Sequence, residues 1–337
     1  MNKFAIQEWL KLTDDNRKNI FFEVAKKMNL PPAAVEKDWW VVRVLELVFQ
    51  TEIAPHTVFK GGTSLSKAWA LIDRFSEDID LALDRTFLGF NKEMTSSQVK
   101  KLRKSSYQYI SEKYFPLLQN AFVEAGLTGI KLNLRDTISN DQDPLIIEVN
   151  YPGVTEASEY LQSRVLIEIG CRSLKEPFSE RSFTSYVGES FQGKDFADQN
   201  IHIPTVNPER TFLEKIFLLH EEFQQPIEKI KVNRLSRHLY DIEKMVDTEF
   251  GKKALADPQL YHHIVDHRKM ITPIRGIDYA NHAPEKIVII PPKELITAWK
   301  KDYEIMQQSM IYGNALKFED LMAKIAELNT IINKIAP

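Results

Sequence analysis

Asp78 and Asp80 stand one residue apart in RFSEDIDLAL, inside an alternating apolar run. A strand has a side-chain period of two, so both carboxylates share a face with Ala82, while Ile79, Leu81 and Leu83 take the other. Two ionised carboxylates repel each other in a site closed to water. A divalent cation removes that penalty. Mg²⁺ takes oxygen ligands, usually one or two carboxylates plus substrate phosphates. The chemistry this serves is phosphoryl or nucleotidyl transfer, in which the metal aligns the attacking oxygen and neutralises charge on the phosphate. Asp-x-Asp alone is common, and a solvent-facing strand with idle acids is the bland alternative.

The segment upstream weighs against that alternative. KGGTSLSK, Lys60 to Lys67, follows a short strand candidate at His56 to Phe59. Gly61 and Gly62 permit close approach of backbone to a ligand. Thr63 and Ser64 add hydroxyls where LSKAWALI is expected to begin a helix, and N–H groups at a helix start can hold phosphate oxygens. The segment is neither a Walker loop nor a dinucleotide-binding glycine motif, whose spacings differ. A third carboxylate from a neighbouring strand would complete a two-metal clamp. Glu148, in PLIIEVNYP, is the first candidate; Glu168, in SRVLIEIGCRS, is the second.

Two further residues lie in helical patterns. Lys215 sits among apolar residues in NPERTFLEKIFLLHEEF, where Asn207 and Pro208 mark the start. A buried ammonium needs an anion or must snorkel to water. A nucleotide phosphate and a structural carboxylate are both open as its partner. Asp241, in RLSRHLYDIEKMV, falls beside an apolar stripe of Leu235, Leu239, Ile242 and Val246. It can pair with Arg237 one turn back, orient Lys215, or touch the substrate.

These residues need a scaffold. The 337 residues suffice for one large domain or two moderate ones. The first fifty read as helices, with AAVEKDWWVVRVLELVF apolar on more than one face. Strands follow at Ile79 to Leu83, Gly129 to Asp136, Pro144 to Pro152 and Ser163 to Ser173, with a lysine-bearing helix over Ser96 to Leu118. After about residue 205 the pattern is helical. This divides the chain into an α/β part, 1–205, and a helical part, 206–337. A single cysteine, Cys171, excludes an internal disulfide framework and points to a reducing cytoplasm. No apolar run is long enough for a membrane span, and the N-terminus lacks a signal-peptide pattern. The net charge of −3 gives no global pull toward nucleic acid, but leaves room for a local basic groove. Lys100, Lys101, Arg103 and Lys104 form one basic cluster; Lys229, Lys231, Arg234, Arg237 and His238 form another. Plain solvated faces are the commoner outcome for such runs. His263 and His267, four apart without an intervening glutamate, are a weak zinc signal.

KGGTSLSK, RFSEDIDLAL, RTFLEKIFLLH and RLSRHLYDIEKM, in this order, resemble the AbiEii/AbiGii toxin family of nucleotidyltransferases. The resemblance covers most of residues 35–250 and includes EKDWW and LIEIGCRSLKEPF. It implies a DNA polymerase β-like nucleotidyltransferase core with a mixed sheet, then a helical lobe contributing to the cleft. It implies a toxin of type IV toxin–antitoxin or phage-defence systems, with a cognate antitoxin as partner. It implies Mg²⁺ or Mn²⁺ as cofactor, a nucleoside triphosphate as donor, and RNA, tRNA above all, as acceptor. The small-residue motif falls on Gly61 to Ser64, with Lys60 just before it, and the paired acids on Asp78 and Asp80. The lysine of the third motif falls on Lys215 and the aspartate of the fourth on Asp241. Polymerase-like enzymes often present Gly-Ser where this chain has Gly-Gly-Thr-Ser, which leaves open whether Thr63 or Ser64 supplies the hydroxyl. Two other readings stand beside RNA transfer. One is the same chemistry on a protein or small-molecule acceptor; the other is a non-catalytic nucleotide-binding module.

Overall fold

The computed structural model describes residues 3–76, 78–91, 94–157, 161–172 and 177–335. The chain forms two compact units, Met1–Trp69 with Phe75–Val206, and Ala70–Arg74 with Asn207–Pro337.

The first unit begins with three helices, α1 (Lys3–Lys11), α2 (Asp14–Met28) and α3 (Pro32–Val48). Thr13 caps α2 by accepting from the Asn16 N–H, and Asn29 ends it in the left-handed region. Pro32 opens α3, and every residue from Ala34 to Val48 is buried. Trp39 stacks on Trp9 with ring centroids 4.8 Å apart, and Trp40 on Tyr151 at 4.9 Å. The charges on α3 are buried with partners, as burial demands. Glu36 accepts from the Val154 and Thr155 N–H groups at 2.8 and 2.9 Å. Asp38 accepts from the Tyr186 N–H at 2.7 Å and meets Lys67 Nζ at 2.9 Å. Arg43 pairs with Glu46 and, at 3.2 Å, with Asp198.

The sheet comprises β1 (Thr57–Lys60), β2 (Asp78–Leu83), β3 (Lys131–Leu134), β4 (Leu145–Asn150), β5 (Arg164–Gly170), β6 (Phe178–Phe183) and β7 (Ile201–Val206), in the order β3-β4-β5-β2-β1-β7-β6. It is mixed: β2–β5 and β1–β7 are parallel, and the remaining pairs antiparallel. The alternation in β4 and β5 fixes the faces. Leu145, Ile147, Val149, Val165, Ile167 and Ile169 are buried with Ile79 and Leu81 of β2. Burying each such side chain is worth about 1.5–3 kcal/mol, so a one-residue slip of register is prohibitive. The opposite face carries Asp78, Asp80, Glu168 and Glu148 in the same register.

Between β1 and β2 lie the short helix α4 (Gly61–Thr63) and a π turn, Ser64–Ala68. The helix expected over LSKAWALI therefore stops early. Ala70 has φ +51° and turns the chain into Ala70–Arg74, which packs with the second unit. The helical pattern of Ser96 to Leu118 becomes α5 (Ser96–Tyr109), a π turn over Ile110–Tyr114, and α6 (Phe115–Glu124). A Thr95–Gln98 capping box starts α5. The short α7 (Tyr186–Ser190) separates β6 from β7. Ser173 and the residues of the turn after it, through Glu176, lie outside the described residues.

The second unit is built on α8 (Pro208–Phe223), α9 (Ser236–Val246), α10 (Glu249–Leu255), α11 (Pro258–Ile271), α12 (Ile296–Ser309) and α13 (Phe318–Ile332). Asp302 of α12 fixes the start of α9, accepting from the Arg234 and Ser236 N–H groups at 2.7 and 3.0 Å. The buried stripe of α9 is Leu239, Ile242 and Met245, with Leu235 and Val246 at its half-exposed ends. Among the described residues, no helix is long and apolar enough to cross a membrane.

Candidate active site

Strand β2 places Asp78 and Asp80 on the face opposite the aliphatic core, both half-buried. Lys60, at the end of β1, is the direct antiparallel partner of Asp80, so the two project from the same face. The chain then passes into Gly61 at φ +82°, the left-handed region that glycine enters without cost. A Cβ at Gly61 would lie 1.9 Å from Asp80 Oδ2. The missing side chain is what lets the turn lie directly against the carboxylate. Beyond Asp80 the face turns apolar, where Val58, Ala82 and Val206 form a small buried cluster.

The hydroxyls of the motif face inward. Thr63 Oγ1 donates to the Asp78 carbonyl and lies 2.9 Å from Ser76 Oγ, and Ser64 Oγ donates to the Gly61 carbonyl at 2.8 Å. Both residues are fully buried. Their groups tie the turn to the acid strand and to itself. Lys67, one turn on, is held by Asp38 and lies 3.9 Å above the Tyr186 ring. The main-chain positions Gly61 and Gly62 stay half-exposed.

The two candidate third carboxylates are separated by register. Glu168 is directly opposite Asp80 across the parallel β2–β5 pair. Glu148 lies on β4, one strand further out, opposite Leu166. Its Oε1 accepts from Arg135 Nη2 at 2.6 Å and Nε at 3.0 Å, and from Arg164 Nη1 at 3.3 Å. The structure does not bring Glu148 to the acid pair: an intervening strand separates them and two guanidinium groups claim it. Strand neighbours are invisible in the sequence, where Glu148 and Glu168 each stand alone inside an aliphatic run. Among the described residues, no group of three or more His, Cys, Asp or Glu side chains is gathered to hold a metal ion, His263 and His267 included. What the first unit offers is two carboxylates on one face beside an open glycine turn. That fits a hard cation that completes its shell with water and substrate phosphate, as Mg²⁺ does.

In the second unit, Asp241 is fully buried and shared by two cations. Arg74 Nε and Nη2 donate to its two oxygens at 2.6 and 2.7 Å, and Lys215 Nζ lies 2.8 Å from Oδ2. Burial alone would raise the Asp241 carboxyl, but Arg74 and Lys215 together hold it well below the usual carboxylate range. Burial pulls the Lys215 ammonium below its ordinary value against the pull of Asp241, and the charge of Arg74 adds to that lowering. Of the partners open to Asp241 in the sequence, the structure gives it Lys215 and also Arg74, which no local pattern could have indicated. A second buried network joins α8 to α11 and the chain beyond it. Glu221 accepts from Arg268 Nε at 2.8 Å and lies 3.2 Å from His282 Nε2. His220 Nδ1 accepts from the Val288 N–H at 3.1 Å. Burial and the neighbouring His282 push the His220 imidazole down to about 4.

A mixed sheet carrying an acid pair beside a glycine turn, with a helical unit after it, is an arrangement suited to nucleotidyl transfer. The sequence model of the AbiEii nucleotidyltransferase toxins of type IV toxin–antitoxin systems matches residues 43–324, and the chain belongs to that family. Among solved structures it is similar to MenT4, a nucleotidyltransferase toxin from Mycobacterium tuberculosis H37Rv. The TM-score is 0.52 at 16% identity, covering 96% of this chain and 91% of that one. At that identity the likeness speaks for the fold. No curated protein matches.

Proposed function

We propose that this toxin-family nucleotidyltransferase moves a nucleoside monophosphate from a nucleoside triphosphate to a hydroxyl of an RNA acceptor, tRNA foremost, in the cytoplasm and under the control of an antitoxin. The observation that carries the reading is the contact between the Gly61 main chain and the Asp80 carboxylate, with Asp78 on the same face. It sets a backbone turn suited to phosphate beside a carboxylate pair suited to Mg²⁺ or Mn²⁺. Asp78 and Asp80 would hold the cation, which when bound orients the attacking oxygen and offsets charge on the phosphate.

The chain's own residues define the rest. Gly61 and Gly62 leave room for the triphosphate against the main chain, and Lys60 adds a cation on the same face. Thr63 fixes the strand end that bears Asp78. Glu168, directly opposite Asp80 on the neighbouring strand, takes the place of Glu148 as the carboxylate beside the pair. Lys215 serves the triphosphate, and Asp241 is its positioning residue. The acceptor oxygen forms the new bond to the α-phosphorus as the bond to the bridging oxygen breaks. Pyrophosphate leaves, and the hydroxyl proton passes to a carboxylate or to water.

The test incubates the purified protein with total RNA, Mg²⁺ and each α-labelled nucleoside triphosphate, beside Asp80→Asn and Glu168→Gln proteins. Label in a discrete RNA band, lost with either substitution, is the expected result. Label on the protein itself would move the acceptor to protein. Turnover unchanged in Asp80→Asn would refute the assignment of the acid pair.

A further inference from the structure

Arg135 and Arg164 meet on one oxygen of Glu148, on the sheet face that carries the acid pair. We infer that these two arginines form a track for the sugar–phosphate backbone of a single-stranded RNA acceptor whose reacting end lies at Asp78 and Asp80. The inference rests on the RNA reading above and adds to it a binding surface.

Register supplies the geometry. Arg164 lies on β5, next to β2, two residues before the Leu166 that faces Asp78. With strands about 4.8 Å apart and a rise of about 3.3 Å per residue, its backbone lies roughly 8 Å from that of Asp78. Arg135 donates its N–H to the Ile146 carbonyl, in the row that runs through Glu168 to Asp80, three strand spacings or about 14 Å away. The exposed Lys131 stands on the same face, in the row of Asn150 and Arg164. A chain leaving the acid pair across β5 and β4 thus crosses first one guanidinium and then the other.

Charge supports the same use. Lys131, Arg135 and Arg164 are three cations against the two carboxylates Glu148 and Glu168 on this face of β4, β5 and the end of β3, in a chain whose net charge is −3. The local excess is therefore not a reflection of composition. Each guanidinium gives one or two of its five N–H donors to Glu148, and the planar fork suits a phosphate as well as a carboxylate. Stability does not explain the cluster. The Arg135 and Arg164 side chains are 39% and 34% exposed, and ion pairs this open contribute little. Glu148 instead holds two long side chains side by side.

The experiment measures binding of a short fluorescent single-stranded oligoribonucleotide by anisotropy across a salt series. It uses Asp80→Asn protein, so that no RNA is extended during the titration. Adding Arg135→Ala or Arg164→Ala should weaken binding and reduce the slope of log affinity against log salt by about 0.7 for each phosphate no longer neutralised. Arg→Lys at both positions should restore most of the slope. The melting shift produced by a nucleoside triphosphate, which reports the nucleotide site alone, should be the same in all of them. Unchanged affinity and slope in both alanine variants, while the parent protein binds the oligoribonucleotide, would overturn the track and leave RNA transfer standing. A parent protein that binds no RNA at any salt would overturn both.

Discussion

Replacing Gly61 by alanine separates the cost of a misplaced carboxylate from the cost of a damaged fold. The native φ of +82° is unfavourable for any residue with a Cβ, a penalty of about 1–2 kcal/mol. The added Cβ would also start 1.9 Å from Asp80 Oδ2, where ordinary contact begins at 3.4 Å. The carboxylate must therefore retreat by about 1.5 Å, or the turn must move by as much. A displacement near 1 Å can cost a hundredfold in rate. Gly61→Ala should thus lower nucleotide transfer by about 100-fold or more, while reducing unfolding free energy by only about 1–2 kcal/mol. The assay is initial-rate transfer from α-labelled triphosphate, with a denaturant melt of the same preparation. A Gly61→Ala protein within about threefold of wild-type turnover would refute the claim that this contact sets the acid pair.

Asp241→Ala leaves Arg74 and Lys215 buried without their shared anion, so it should destabilise the protein by about 3–5 kcal/mol in a denaturant titration; an unmoved midpoint would show that neither cation depends on Asp241. Thr63→Val removes the donor to the Asp78 carbonyl and should cost about 1–3 kcal/mol of stability, with a fall in kcat rather than a rise in KM for the triphosphate. A change confined to KM would instead return the hydroxyl to the phosphate. His220 has a folded-state value of about 4 against an ordinary 6.5, so the unfolded chain takes up its proton first. Its contribution is complete above about pH 6.5 and is lost as the pH falls toward 4, up to about 3 kcal/mol in all. A His220→Gln protein should show a shallower decline over that window, and an identical pH–stability profile would exclude His220 as a source.

The parts of the site written in local pattern were legible. The alternation of IDLAL, LIIEVN and RVLIEIG gave strands and faces, because burying one face constrains every second residue. The choice between Glu148 and Glu168 was not legible. It depends on which strands are neighbours, and that pairing is made across long stretches of chain. The bonds of Thr63 and Ser64 to the Asp78 and Gly61 carbonyls are not legible either, because hydroxyls at a turn serve a phosphate or the backbone equally well. β6 carries no strand signal in the sequence because FSERSF is largely exposed and charged, and β7 none because proline interrupts IHIPTV. Nor did anything in AWALIDR betray the left-handed turn at Ala70, since alanine is not a residue that advertises one.

Helix α3 has a practical consequence for anyone trimming this protein. The family match starts at residue 43, midway along a helix that runs Pro32–Val48. A gene cut at that boundary would discard Glu36, Asp38 and Trp39. The loop at Val154 and Thr155 would lose its acceptor, and the ammonium of Lys67, within KGGTSLSK, its counter-ion. A minimal catalytic fragment must therefore begin before Pro32, and shorter clones that yield insoluble protein would be reporting a severed core rather than a toxic product.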